Sequence, residues 1–165
     1  MKNFKLFESE NQYYWVPSKN IPIQPGFQIP PGPTTFTNDL HFPRAIVEQV
    51  FETVRKKINP SAPSRIGGIF LCQDINCCRY YQKVYKTNAL YKVKIESHET
   101  PFLTDSDAWG DGFHKISRWT VYSRKPIDFE TAYELGQYYA EKYWQPSDIE
   151  QPEVLVAGSA KVIVV

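Results

Sequence analysis

Two hydrophobic periods divide this chain. Between residues 44 and 58, Val47, Val50, Phe51, Val54 and Ile58 recur at the i, i+3, i+4, i+7 spacing of one helix face. Pro43 suits the first helical position, and Arg55-Lys56-Lys57 complement the helix dipole in the last turn. Pro60 and Pro63 then forbid continuation. Asp74 is placed to cap a helix running to about Tyr85. A further helix is expected over 128–144, capped by Asp128, with Ala132, Leu135, Gly136, Tyr139, Ala140 and Tyr143 near one face.

The second period is two. Leu90-Tyr91-Lys92-Val93-Lys94-Ile95-Glu96 alternates as a half-buried strand does. The apolar run at 68–72 reads as a buried strand, and the aromatic-rich stretch at 12–16 as a first one. Residues 104–118 are polar and rich in Gly and Asp, which predicts a loop, and Trp119-Thr120-Val121-Tyr122 reads as another strand. Residues 153–156, a turn at Ala157-Gly158-Ser159, and residues 160–165 read as a terminal β-hairpin. The proline-rich stretch 17–33 must be extended, because proline fixes φ and removes a donor. Its length marks it as a functional flap or a poorly ordered segment. Helices and strands follow one another without a regular βαβ rhythm, so an α+β fold with mixed or antiparallel sheets is expected, in a single domain over 1–165.

Composition narrows the function classes. The 165 residues carry 19 basic and 18 acidic side chains, so the basic excess of a dedicated duplex-DNA binder is missing. Nucleic acid stays open as a substrate. Cys72, Cys77 and Cys78, an odd count with two adjacent, make a poor disulfide framework and point to a reducing compartment. They lack the fourth ligand and the spacing of a zinc site, so no metal is expected. Met1-Lys2-Asn3-Phe4-Lys5 opens no apolar leader, and no run approaches the ~20 apolar residues of a membrane span. A cytoplasmic protein with no membrane partner is the resulting expectation. Aromatic residues reach 15%, which fits either a half-buried cleft or a wet core.

Other motifs point to less. His98-Glu99-Thr100 is one half of a paired His-x-Thr phosphoesterase signature, and the chain has no second half. Asp105, Asp107 and Asp111 lack the closing Glu of a twelve-residue Ca²⁺ loop.

Three segments, in order, resemble the signature segments of the ADP-ribosyltransferase superfamily. The last is Gln151-Pro152-Glu153-Val154-Leu155-Val156-Ala157-Gly158-Ser159-Ala160-Lys161-Val162. Members often place a catalytic Glu at a strand start within Glu-x-Glu or Gln-x-Glu, matched here by Gln151-x-Glu153. The middle segment is Pro63-Ser64-Arg65-Ile66-Gly67-Gly68-Ile69-Phe70-Leu71, followed by the Asp74 helix. It resembles small bacterial ADP-ribosyltransferase-like proteins, whose Tyr-Trp helix end is matched by Tyr143-Trp144, and DNA-targeting toxins with an Arg ahead of a central strand. The first, Tyr13-Tyr14-Trp15-Val16-Pro17-Ser18-Lys19, resembles an aromatic-His-Val-Thr-Ser-Lys stretch, with Trp15 where the His would stand.

The resemblance implies two small sheets forming a cleft with flanking helices, NAD as the bound dinucleotide, and transfer of ADP-ribose to a protein or nucleic-acid acceptor, or hydrolysis of NAD. It implies Glu153 as the catalytic carboxylate and Gln151 as the group orienting the acceptor. It implies Arg65 as a diphosphate clamp, Tyr14 or Trp15 as a stacking wall, and Ser64 and Gly67 beside the dinucleotide. Toxins of this class often sit beside an antidote, so an inhibitor protein is a further implied partner. A non-catalytic nucleotide- or protein-binding module on the same fold is the alternative. Cleaving the nicotinamide–ribose bond develops an oxocarbenium-like cation, which a nearby carboxylate stabilises most in the transition state. A carboxylate at a strand start is expected to be partly exposed, and its loss to barely change stability.

Overall fold

A computed structural model describes residues 12–19, 21–97 and 100–164. The elements, in chain order, are β1 (Tyr13–Trp15), α1 (Arg44–Ile58), β2 (Ile69–Leu71), α2 (Ile75–Tyr85), β3 (Tyr91–Ile95), β4 (Phe102–Asp105), α3 (Ser106–Ser123), α4 (Phe129–Trp144), β5 (Pro152–Val156) and β6 (Ala160–Val164). Residues Met1 to Lys5, His98 and Glu99, on which the leader and phosphoesterase readings rest, lie outside the described residues.

The strands form two three-stranded antiparallel sheets, ordered β1-β3-β6 and β2-β5-β4. The expected α+β class with small sheets and flanking helices is what the chain adopts. Alternation along β5 explains the layering. Val154 and Val156 point into a core with Val93, Ala160 and Val162 of the first sheet. Leu155 points the other way, into a helical core with Val47, Phe51, Ile116, Ala140, Tyr143 and Trp144. β5 is therefore buried on both faces, which explains why its residues lack polar alternation. The layers run sheet, sheet, helices α1, α3 and α4.

Helix ends follow their capping chemistry. Asp74 accepts from the backbone N–H of Asn76 and Cys77, and Asp128 from Thr131. Pro43 sits at the N-cap of α1, one position before the expected place.

Three expectations fail. Residues 104–118 are not a loop, and 119–122 are not a strand; both fall largely within the single helix α3, which follows the short strand β4. The buried stripe of α3 is Ala108, Gly112, Ile116 and Thr120, mostly small residues that carry little hydrophobic signal. Their smallness is what α1 and α4 require. A Cβ on Gly112 would meet the Phe51 ring and Tyr139 Cβ at 3.1 Å. Thr120 is buried while Tyr122 is 82% exposed, the pattern of a helix end rather than of a sheet. The terminal hairpin also fails. β5 lies between β2 and β4, so both its edges are taken, and β6 pairs with β3 in the other sheet. Gly158, at φ +97°, makes the turn between sheets; its Cβ would lie 2.5 Å from Ser97 Cβ.

Residues 23–32 of the proline-rich stretch are held in place. Gly26 and Ile29 donate backbone hydrogen bonds to Val162 and Ala160, and Val162 donates to Phe27. Ile23 and Ile29 are buried between the sheets. Gly32 N–H reaches the Gly68 carbonyl at 3.0 Å, tying the end of the stretch to the residue before β2.

Candidate functional site

The layering places Glu153 on the same face of β5 as Leu155, turned toward the helices. It is 5% exposed. The expected partial exposure is therefore wrong: α1, α2 and α4 close over this end of β5. Arg65, 6% exposed, comes from the turn before β2 and reaches it. Arg65 Nη1 donates to Glu153 Oε1 at 3.2 Å and to the Tyr143 hydroxyl at 2.7 Å. That hydroxyl donates in turn to Glu153 Oε1 at 2.8 Å. The Tyr81 hydroxyl, from α2, donates to Glu153 Oε2. So the turn before β2, α2 and α4 converge on one carboxylate of β5.

Glu48, from α1, is the member that the sequence reading missed. It takes Arg65 Nε at 3.0 Å and Nη2 at 3.4 Å. The guanidinium is also stacked among Tyr143, Trp109 and Phe70, with ring centroids 4.7–4.9 Å from Cζ. Glu48 sits on the apolar stripe of α1, between Val47 and Val50. A charged residue inside an apolar stripe was the available signal. By formal charge, Glu48 and Glu153 against Arg65 leave the buried cluster at −1. Burial alone would lower the Arg65 pKa, but Glu48, Tyr143 and Glu153 outweigh it and hold the guanidinium more basic than usual. Burial and the Glu153 charge push the Tyr81 hydroxyl well above its ordinary range. Tyr143 is likewise raised by burial and Glu153, against the opposing Arg65 charge.

Beside this cluster opens a cleft of about 410 Å³. Trp15, Phe70, Tyr81 and Tyr85 supply aromatic lining, and residues 29–33 with Ser18 line it too, so the proline-rich stretch borders it. Tyr81 and Tyr85 stack at 5.8 Å, and Trp15 stacks on Phe27 at 6.1 Å. Tyr81 thus joins the two halves of the site: its ring lines the cleft and its hydroxyl holds Glu153. The cleft's cation is Arg44, whose side chain is 45% exposed and lies 3.8 Å from Glu48. Arg44 opens α1, where no periodicity marked it.

The other expected site residues scatter. Tyr14 packs with Val16 and the cysteines rather than lining the cleft. Ser64 donates to Glu52 at 2.9 Å, outside the cleft lining. Gly67 supplies a φ of +75° for the turn that delivers β2. The backbone of Gln151 is fixed by Asp105, which accepts its N–H at 3.0 Å. Among the described residues no group of His, Cys, Asp or Glu is arranged to hold a metal ion. No described helix is long and apolar enough to cross a membrane.

A buried, hydrogen-bonded carboxylate beneath an aromatic cleft, in an α+β frame of two antiparallel sheets, defines the class. Residues 33–165 match the model of a family described as protein of unknown function (DUF2441), and the chain belongs to that family. No curated protein matches the chain.

Proposed function

We propose that this protein binds NAD in the cleft and either transfers its ADP-ribose to a protein or nucleic-acid acceptor or hydrolyses it, on an ADP-ribosyltransferase-like fold. The observation that carries this reading is the placement of Glu153 at the start of β5, 5% exposed and hydrogen-bonded to a tyrosine of the cleft wall. NAD supplies a nicotinamide–ribose bond whose cleavage builds positive charge on the ribose.

The chain's residues fit that demand. The cleft volume lies within the ~300–1,000 Å³ typical of small-ligand sites. Trp15, Tyr81 and Tyr85 offer flat faces for planar rings, and Arg44 is the cation at the rim for a diphosphate. The guanidinium of Arg65 is already committed to Glu48, Tyr143 and Glu153, so its role in this proposal is to hold the carboxylate. The cluster's formal −1 favours a developing cation, and the fixed dipoles around it need no reorganisation. For Glu153 to meet the ribose, the Tyr81 hydroxyl must yield Oε2 or stay between them as the contacting group. Gln151, two residues before, orients the acceptor.

The completeness of this network favours a second reading. Both oxygens of Glu153 already have partners within the protein. A carboxylate so satisfied suits a binding module that recognises a nucleotide or a protein without turnover. Calorimetric titration with NAD and an assay of nicotinamide release, on wild type and Glu153→Gln, separate the two. Turnover that falls about 10²–10³-fold in the variant, with NAD still bound, supports the enzyme. Tight binding without release in the wild type supports the module. Absence of both NAD binding and release rejects NAD as the ligand.

A further inference from the structure

The three cysteines are the chemistry that the site does not use. Sequence reading set them aside as a poor disulfide framework, yet the fold gathers all three into one buried cluster with Val16. Cys72 follows β2, while Cys77 and Cys78 lie in the first turn of α2. Cys77 Sγ lies 2.7 Å from Cys72 Sγ, and all three thiols are free. A disulfide needs about 2.05 Å between sulfurs, so little movement separates the pair from a bond. All three are buried, Cys72 at 3% exposure, but Cys72 belongs to the cleft lining, which gives a small oxidant its approach.

The cysteine positions also matter mechanically. Tyr14 and Cys72 exchange two backbone hydrogen bonds at 2.8 Å, joining the two sheets at this point. Cys77 and Tyr81 are four residues apart on α2, on one helix face. A covalent link from Cys72 to Cys77 therefore ties the seam between the sheets to the helix that carries the cleft wall.

We propose that Cys72 and Cys77 form a reversible disulfide at the cleft wall, with a peroxide as the oxidant. The Cys72 sulfur attacks one peroxide oxygen and the O–O bond breaks. The sulfur becomes a sulfenic acid, and the other oxygen leaves as water with the thiol proton. The Cys77 sulfur then attacks the Cys72 sulfur, the S–O bond breaks, and a second water departs with the Cys77 proton. Two thiols are oxidised, one peroxide is reduced, and Cys78 stays free. Hydrogen bonding to its neighbours, together with burial, raises the Cys72 thiol above its ordinary range, so this oxidation is slow and needs excess peroxide.

The test uses the folded full chain, hydrogen peroxide in excess, alkylation of remaining thiols, and cleavage before Asp74, which separates Cys72 from Cys77 and Cys78. The expected result is a fall from three free thiols to one, a Cys72–Cys77 link with Cys78 alkylated, and recovery of all three on adding a dithiol reductant. Cys78→Ser should still form the link, and Cys77→Ser should not. The proposal is overturned if all three thiols persist, if the link joins Cys78 or a second chain, or if it forms only in denaturant. Because the wild-type map decides the question, a variant that fails to fold leaves the test intact.

Discussion

Arg65 and Glu153 share one hydrogen-bonded ion pair, yet deleting one partner should cost much more than deleting the other. The reason is the charge count. Glu153→Gln leaves Glu48 and Arg65 as a balanced pair, with Gln Oε1 still able to accept from Tyr143. What is lost is one charge-assisted bond to Arg65 and a good acceptor for Tyr81, about 1.5–3 kcal/mol. Arg65→Met leaves buried Glu153 without its cation and Glu48 with only the half-exposed Arg44 at 3.8 Å. Breaking a buried pair by removing one partner costs about 3–5 kcal/mol. Loss of stacking on Tyr143, Trp109 and Phe70 pushes the figure to the upper end. For a chain of 165 residues each kcal/mol moves the melting point by roughly 2–4 °C. Thermal melting should therefore fall by about 3–12 °C for Glu153→Gln and about 10–20 °C for Arg65→Met. Equal losses, or a larger loss for Glu153→Gln, would refute the idea that Arg65 is the buried cation shared by both carboxylates.

Arg44→Ala should weaken NAD binding about tenfold, read by calorimetry, with a smaller effect on melting, because the side chain is 45% exposed at the cleft rim. Tyr81 and Tyr143 are held above the ordinary tyrosine value of 10.0 in the folded state. Raised pKa values contribute stability that is intact below about pH 10 and is lost as pH rises through the folded values, because only the unfolded chain ionises there. Tyrosinate absorbance in an alkaline titration should show these two hydroxyls titrating with unfolding, and Tyr143→Phe should flatten that pH dependence.

Where apolar side chains were large and regularly spaced, the fold was legible from sequence. α1 and α4 announced themselves through Val47, Val50, Phe51 and Val54, and through Leu135, Tyr139 and Tyr143. α3 did not, because Ala108, Gly112 and Thr120 pack by closeness rather than bulk, and glycine reads locally as a breaker. The last two strands looked like a hairpin because a turn residue separated two apolar runs; pairing was decided by β2 and β4, which occupy both edges of β5. For the site, Glu153 and Arg65 were named from sequence and do meet. Glu48 carried one signal, a charge inside the apolar stripe of α1, while Arg44 and Tyr81 were hidden because what qualifies them is convergence of α1 and α2 on one site, which only packing brings about.

The crossing at Gly158 has a consequence for how the chain acquires its shape. Residues 152–164 supply the middle strand of one sheet and an outer strand of the other, and the proline-rich stretch hangs its backbone on residues 160 and 162. During synthesis, β2 and β4 wait for β5, and β3 waits for β6. Neither sheet can be completed as the polypeptide emerges until residues 152–164 have been made. Until then Val93, Ile69 and Leu71 lack their cover, and the nascent chain presents sticky, unpaired strand edges to its surroundings.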